Sequence, residues 1–437
     1  MIKVVKFGGS SVASAEQFKK VKSIIESDPK RKVVVVSALG KRFSKDSKIT
    51  DMLYLLSYHI KYNVDSTAIF NQIVERYEEV KNELNISINL TREFDIIMEN
   101  VKNGANEDYL VSRGEFLCAK MMASYLGYEF VDAEDVIFFK YDGSIDNEKT
   151  IEAVKSKFAE YKNIVVPGFY GTFPTGDIKL FSRGGSDITG SILAMALEVG
   201  EYENWTDVSG LLMADPRIVK NPKAISEITY EELRELSYMG ASVLHEETIF
   251  PVKELNIPIH ILNTNAPNDA GTIICRDSQN TDNIITGVSG KKNFTAFTIV
   301  KSMSVNKLAV IRDTLNALDK FNVVVEHIPT SIDSFSVIVE NKSIEKSVYD
   351  IITEIKKVKG VISVEVDKDI SLVAVVGRNM VLKPGISGKI FSLFGKNNIN
   401  IKTIAQGTQE INIIVGISNN DFEKAIQTIY NGIVLGE

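Results

Sequence analysis

Two cysteines in 437 residues, Cys118 and Cys275, leave no material for a disulfide framework and too few thiols for a structural zinc site. Both stand alone among apolar neighbours, the usage of a reducing compartment, so a cytoplasmic protein is expected. The four histidines (His59, His245, His260, His327) lack metal-ligand spacing, and no Ser-His-Asp arrangement is visible. No metal site is expected, hydrolysis by a triad is unsupported, and each histidine reads as structural. No run is long and apolar enough to span a bilayer, and residues 1–7 read as a strand, not a signal sequence. A long basic run is missing too: the net charge is −7, which disfavours nucleic acid as a partner. A polyanion such as a nucleotide must therefore be met by a local cluster. Neither the G-x-x-x-x-G-K-[ST] form nor the protein-kinase catalytic-loop and D-F-G signatures occur.

What is present is the balance of a globular protein, 44% hydrophobic and 24% charged, with length for two to four domains. Strands at 2–7, 32–37, 163–166, 201–205, 257–262 and 272–275 alternate with helical patterns at 15–26, 51–61, 65–84, 92–101, 107–126 and 188–198. The continuous valine run Val33-Val34-Val35-Val36 predicts a strand buried on both faces, as in a parallel sheet. The expectation is an α/β domain with a largely parallel central sheet over residues 1–285.

The last third carries an internal repeat. Asn322 and Asn398 are 76 residues apart, as are Val339 and Val415. In that register Leu315 and Leu318 lie over Phe391 and Phe394, and Ser336-Val337-Ile338-Val339 over Asn412-Ile413-Ile414-Val415. Each copy reads as an amphipathic helix, an alternating strand, a short turn and a second alternating strand. Two copies are too few for a solenoid and predict a paired α+β module over 294–365 and 366–437.

Four segments carry the chemistry. In Val4-Val5-Lys6-Phe7-Gly8-Gly9-Ser10-Ser11 a lysine ends a buried strand ahead of two glycines, two hydroxyls and a helix. Glycines admit close backbone approach, helix N-termini favour anions, and Lys6 would stabilise a phosphoryl group in transfer; a strand-end lysine beside a plain turn fits the same letters. In Ser182-Arg183-Gly184-Gly185-Ser186-Asp187, Arg183 suits a carboxylate and Asp187 an ammonium, the pair a zwitterionic amino acid, unless Ser186 or Asp187 is only a helix N-cap. Val111-Ser112-Arg113-Gly114-Glu115 breaks a helical run with a glycine and offers Glu115, or simply an exposed helix glutamate. Trp205-Thr206-Asp207-Val208-Ser209-Gly210 with Asp215-Pro216-Arg217 is a strand end and turn, where α/β sheets bind ligands.

These four motifs, in this order and followed by the repeat, resemble the aspartate kinases: an amino-acid kinase fold, a three-layer α/β/α domain, followed by two ferredoxin-like ACT domains. The resemblance covers nearly the whole chain. It implies ATP-dependent phosphorylation of the β-carboxylate of L-aspartate to 4-phospho-L-aspartate, the first step toward lysine, threonine and methionine, with Mg2+ held mainly through the ATP phosphates. A carboxylate is already a nucleophile at neutral pH, so catalysis is positioning and charge neutralisation. By the same resemblance Lys6 and Asp187 are catalytic. Thr50, Glu115, Arg183, Gly184, Gly185 and Ser186 bind aspartate. Lys6, Gly8, Gly9, Ser10, Thr206, Asp207, Leu212, Arg217, Ser242 and Val243 meet ATP. Leu212 stands where the family often has tyrosine, and Ser242 where it has a nucleotide-binding lysine. The basic loop Lys41-Arg42-Phe43-Ser44-Lys45, with Lys48, would supply replacement charge over the phosphates or be a solvated loop. The ACT modules imply a homodimer or larger assembly and feedback by an amino acid, lysine before threonine, at 303–313 and 323–326; no glycine precedes the first ACT helix in Asn306-Lys307-Leu308. The end at Glu437 implies a monofunctional enzyme. A kinase-fold sensor with little turnover, or a same-fold kinase for another acid or a nucleotide, are the competing readings.

Overall fold

The computed structural model describes residues 1–182, 184–241, 244, 248–278, 283–380, 383–407 and 411–436. The chain forms two units. The first comprises Met1–Leu211, Ala224–Tyr230 and Val243–Ser278; the second comprises Leu212–Lys223, Glu231–Ser242 and Gln279–Glu437. Leu212–Lys223 and Glu231–Ser242, like the last few residues of the 1–285 span expected for the kinase domain, thus fall in the unit that holds the C-terminal part.

In chain order, β1 (Lys3–Phe7) leads through α1 (Ala15–Ser27) to β2 (Arg31–Val36). Helices α2 (Ile49–Lys61), α3 (Thr67–Leu84), α4 (Leu90–Lys102) and α5 (Glu107–Leu126) follow. Then come β3 (Glu129–Phe130), α6 (Asn147–Tyr161), β4 (Ile164–Pro167) and a hairpin of β5 (Tyr170–Thr172) and β6 (Ile178–Leu180). Helix α7 (Gly185–Ala196) returns to β7 (Glu201–Thr206). Short strands β8 (Leu211–Leu212), β9 (Ala224–Ile225) and β10 (Glu227–Thr229), helices α8 (Tyr230–Tyr238) and α9 (Phe250–Lys253), and strands β11 (Ile259–Asn263) and β12 (Thr272–Cys275) complete the span.

The first unit is built on an eight-stranded sheet of order β10-β12-β11-β7-β1-β2-β4-β3, in which every neighbour is parallel except β11 and β12. Val33–Val36 of β2 and Val4, Val5 and Phe7 of β1 have no accessible surface, so the sheet centre is covered on both faces as the valine run predicts. Helix α5 spans the expected 107–126 and runs through Gly114. A Cβ there would lie 2.9 Å from the Ala38 Cβ, so the glycine serves the close approach of α5 to the segment that follows β2, and its helical cost is met by packing. Helix α7 begins three residues before the expected 188. At the N-terminal end of the sheet Lys3 bridges Glu201 at 2.6 Å and Glu203 at 2.7 Å, and Arg31 reaches Glu203 at 2.8 Å. His260 reaches Glu201 at 3.0 Å through Nδ1 and the Ala270 carbonyl at 2.8 Å through Nε2.

The second unit holds a six-stranded antiparallel sheet of order β14-β15-β13-β16-β18-β17: β13 (Gly287–Lys301), β14 (Val325–His327), β15 (Ser334–Glu340), β16 (Val361–Val376), β17 (Thr403–Ala405) and β18 (Asn412–Ile417). Helices α10 (Lys307–Asp319), α11 (Asn341–Ile344), α12 (Val348–Lys356), α13 (Ile386–Lys396) and α14 (Phe422–Ile429) belong to it. The 76-residue register reappears in three dimensions: Asn322 (φ 52–54° range shared with its partner) and Asn398 both adopt the left-handed conformation just past α10 and α13, with φ of 54° and 52°. Val339 and Val415 fall in β15 and β18. The sequence pattern missed the long first strands β13 and β16, which join the two copies edge to edge. The copies start their first helices differently. Gly385 at φ 92° caps α13, whereas Asn306 caps α10 by accepting the Leu308 amide with its side chain. No helix among the described residues is long and apolar enough to cross a membrane.

Candidate active site

The site assembles where β1, β2, β4 and β7 end. Lys6 is the penultimate residue of β1 and is buried; in the parallel pairing of β1 with β7 it sits opposite Asn204. Its Nζ lies 2.5 Å from Asp187 Oδ1 and 3.5 Å from Asn204 Oδ1, and Asn204 Nδ2 donates to the same Asp187 oxygen at 2.9 Å. Asp187 is in the first turn of α7, yet that helix is capped by Gly184, left-handed at φ 69°, with no side-chain cap. The Asp187 carboxylate therefore serves Lys6 and Asn204, not the helix amides.

Helix α1 starts at Ala15, as expected, with Ser14 accepting the Gln17 amide, and between the glycines and that helix Gly9–Val12 forms a short 3-10 turn. The turn, not the N-terminus of α1, is what stands beside Lys6. Within it the Gly8 amide donates to the Trp205 carbonyl at 3.0 Å and the Ser11 amide to the Gly8 carbonyl at 2.9 Å. A Cβ on Gly8 would meet Lys6 Nζ at 3.5 Å, which places Gly8 directly against the lysine head. Across from it, the Ser37 amide donates to the Phe7 carbonyl and the Gly40 amide to the Gly9 carbonyl, so the chain leaving β2 lies along the turn.

Glu115 is 4% exposed on α5. Burial pushes its carboxyl up to about 8, against the lowering effect of the Ala38 amide and of Arg113. Its Oε2 has no hydrogen-bond partner. A buried carboxyl with an unserved oxygen suits a cationic group brought by a ligand. Thr50, half-buried, is the second residue of α2. Gly185 and Ser186 are seated tightly: a Cβ on Gly185 would lie 2.9 Å from the Phe181 Cβ, and one on Gly168 would lie 2.6 Å from Ser186. A cleft of about 740 Å³ opens beside Phe181 and Ser182, between Tyr54, Asp108, Phe139 and Phe250; Lys6, Glu115 and Asp187 do not line it.

A family model for the amino acid kinase family matches residues 1–263, and one for the ACT domain matches residues 373–432. The chain is 33% identical to Aspartokinase 3 of Bacillus subtilis, the match covering all of this chain and 99% of that one. The chain belongs to the amino acid kinase family and, within it, to the aspartokinases. The crystal structure of Clostridium acetobutylicum aspartate kinase is 48% identical, with a TM-score of 0.92 over the whole of both chains. At 23% identity, E. coli aspartokinase III shares the fold with a TM-score of 0.76, covering 99% of this chain and all of that one.

Of the aspartokinase site expected from sequence, the first unit gathers Lys6, Gly8, Gly9, Ser10 and Asp187. Thr206 ends the adjacent strand β7 and donates to the exposed Asp207 at 3.2 Å. Leu212 and Arg217 belong to the second unit. Leu212 is exposed, and Arg217 is held by Asp215, Nη2 to Oδ2 at 2.6 Å. Arg183, Ser242 and Val243 lie outside the described residues. The basic loop is anchored, not merely solvated: Arg42 pairs with Asp46 and Glu79 while Lys41, Lys45 and Lys48 stay exposed. Sequence reasoning missed Asn204, which sits beside Glu203 in the strand Tyr202–Trp205 with no local signal of its role, and it missed the second unit's claim on α8.

Proposed function

We propose that this aspartokinase transfers the γ-phosphoryl group of ATP to the β-carboxylate of L-aspartate. The β-carboxylate oxygen forms the new P–O bond as the bond between the γ-phosphorus and the ADP oxygen breaks, giving 4-phospho-L-aspartate and ADP. The reading is carried by the Lys6–Asp187–Asn204 constellation beside the glycine turn. Lys6 supplies the charge that offsets the transferring phosphoryl group, and Asp187 with Asn204 fixes its head. Glu115, Thr50, Arg183, Gly184, Gly185 and Ser186 are assigned to aspartate. Gly8, Gly9, Ser10, Thr206, Asp207, Leu212, Arg217, Ser242 and Val243 are assigned to the nucleotide. Mg2+ would be held mainly through the nucleotide phosphates, since Asp187, the carboxylate beside Lys6, is already engaged by Lys6 and Asn204.

We assign 1–285 to catalysis and 294–365 and 366–437 to two sensing modules that bind an amino acid, lysine first and threonine next, in a homodimer or larger assembly in the cytoplasm. Trapping the acyl phosphate with hydroxylamine tests this. Hydroxamate should form only with ATP and aspartate together and should fall as lysine is added. Product with another acid but none with aspartate would overturn the substrate; lysine binding without any turnover would leave a sensor.

A further inference from the structure

Helix α3 lies outside every motif of the site, yet two consecutive residues on it, Arg76 and Tyr77, reach the site's backbone. Arg76 is 6% exposed. Its Nη2 donates to the Gly40 carbonyl at 2.8 Å, its Nη1 donates to the Ser47 carbonyl at 3.2 Å, and the same Nη1 stands 3.2 Å from Asp46 Oδ2. One guanidinium thus ties the first, late and last parts of the loop 40–48 together, a use of the rigid fork that lysine cannot reproduce. Tyr77, fully buried, donates its hydroxyl to the Gly114 carbonyl at 2.7 Å, one residue before Glu115.

The loop that Arg76 holds touches the glycine turn itself. The Gly40 amide donates to the Gly9 carbonyl at 2.9 Å, and a Cβ on Gly40 would lie 2.7 Å from the Ser10 amide nitrogen. Gly40 therefore sits backbone to backbone on the turn assigned to the phosphates. Its other backbone group, the carbonyl, is the one Arg76 takes. The far end of the loop is fixed separately: the Ile49 amide donates to the Leu39 carbonyl at 3.2 Å, and Ile49 and Leu53 are buried. Loss of the Arg76 contact should then loosen the Gly40 side while leaving Thr50, on α2, in place.

We propose that Arg76 is a positioning residue for nucleotide binding, clamping the basic loop 40–48 onto the Gly9–Ser10 turn so that the turn keeps its phosphate-binding shape. The proposal rests on the kinase reading for the ligand it names. Asp46 is the clamp's second jaw, because it accepts from Arg42 while facing Arg76. Exposed Lys41 follows directly on Gly40, so the clamp also limits where that cation can stand.

The test compares wild type, Arg76→Lys, Arg76→Ala and Asp46→Asn for binding of a fluorescent ADP analogue, for KM of each substrate and for thermal stability. Arg76→Lys keeps the charge facing Asp46 but cannot hold Gly40 and Ser47 in one planar fork. It should fold, and it carries the test if Arg76→Ala does not. The expected result is weaker ADP-analogue binding and a higher KM for ATP, each by about tenfold for a lost charge-assisted hydrogen bond. KM for aspartate should be unchanged, and Asp46→Asn should shift in the same direction by less. Wild-type ADP-analogue affinity in both Arg76 variants would overturn the proposal, as would equal shifts in the KM of both substrates that track lost stability. Failure of the wild type to phosphorylate aspartate would overturn the kinase reading instead, and the ADP-analogue arm would still decide the clamp.

Discussion

Replacing Glu115 by glutamine changes the electrostatics of the site with almost no change of shape. The wild-type carboxyl is pushed up to about 8 from 4.5 by burial, with its Oε2 unserved. A rise of three to four units, at about 1.4 kcal/mol each, makes ionising Glu115 in the unliganded protein cost about 4 to 5 kcal/mol. Between those two pKa values the folded protein holds a proton that the unfolded chain has released. Wild-type stability from this group is therefore full below 4.5, falls as pH rises toward about 8, and is level above it. Glutamine does not titrate, so Glu115→Gln should match the wild type at acid pH and exceed it increasingly up to about pH 8. The only tryptophan, Trp205, is buried in the same unit, so urea unfolding followed by its fluorescence reads the right part of the molecule. A stability difference between the two proteins that is flat across that range would refute the assignment of a buried, protonated Glu115. Glu115→Gln should also weaken aspartate binding, because the cation-accepting oxygen becomes an amide.

Lys6→Met should lower kcat by about 10²–10³ with little change in the KM for aspartate, and a pure KM effect in steady-state kinetics would contradict the role given to Lys6. His260 faces the Glu201 carboxylate and the Ala270 carbonyl with its two ring nitrogens, an arrangement that favours the imidazolium. Burial opposes this, but Glu201 and the Ala270 carbonyl outweigh it and the pKa is raised. The stability it contributes is full below its unfolded pKa of about 6.5 and is lost as pH rises through the folded value. Melting curves of wild type and His260→Gln should converge toward alkaline pH, and parallel curves would count against the imidazolium. Gly388 lies inside α13 with no neighbour within 4 Å of an added Cβ. Gly388→Ala should therefore stabilise the protein by about 0.5–1 kcal/mol in a denaturant titration, with a loss of stability as the contrary result.

The residues legible in the sequence were those whose chemistry is announced locally. Lys6 beside two glycines, Asp187 behind a glycine pair, and the valine run of β2 each speak through their immediate neighbours. Asn204 was not legible, because its meaning comes from strand register: β1 and β7 pair across nearly two hundred residues and bring it opposite Lys6. Arg76 and Tyr77 were silent for the same reason, as ordinary letters of an amphipathic helix whose partners are backbone carbonyls of other segments. The repeat was visible where helix and strand patterns alternate, around Asn322 and Asn398. It was invisible in β13 and β16, the two central strands of the six-stranded sheet, which pair with each other across the two copies. The helix through Gly114 was legible but the reason for its glycine was not, since the cost is local and the contact with Ala38 is distant in sequence.

The claim that everything else serves is phosphorylation of the aspartate β-carboxylate. Phosphorus NMR of the product formed from ATP and aspartate labelled with carbon-13 at the β-carboxyl carbon reads that bond directly. An acyl-phosphate resonance split by the labelled carbon is the predicted result. An unsplit acyl phosphate, a splitting that appears only with the α-carboxyl label, or release of inorganic phosphate alone would contradict it.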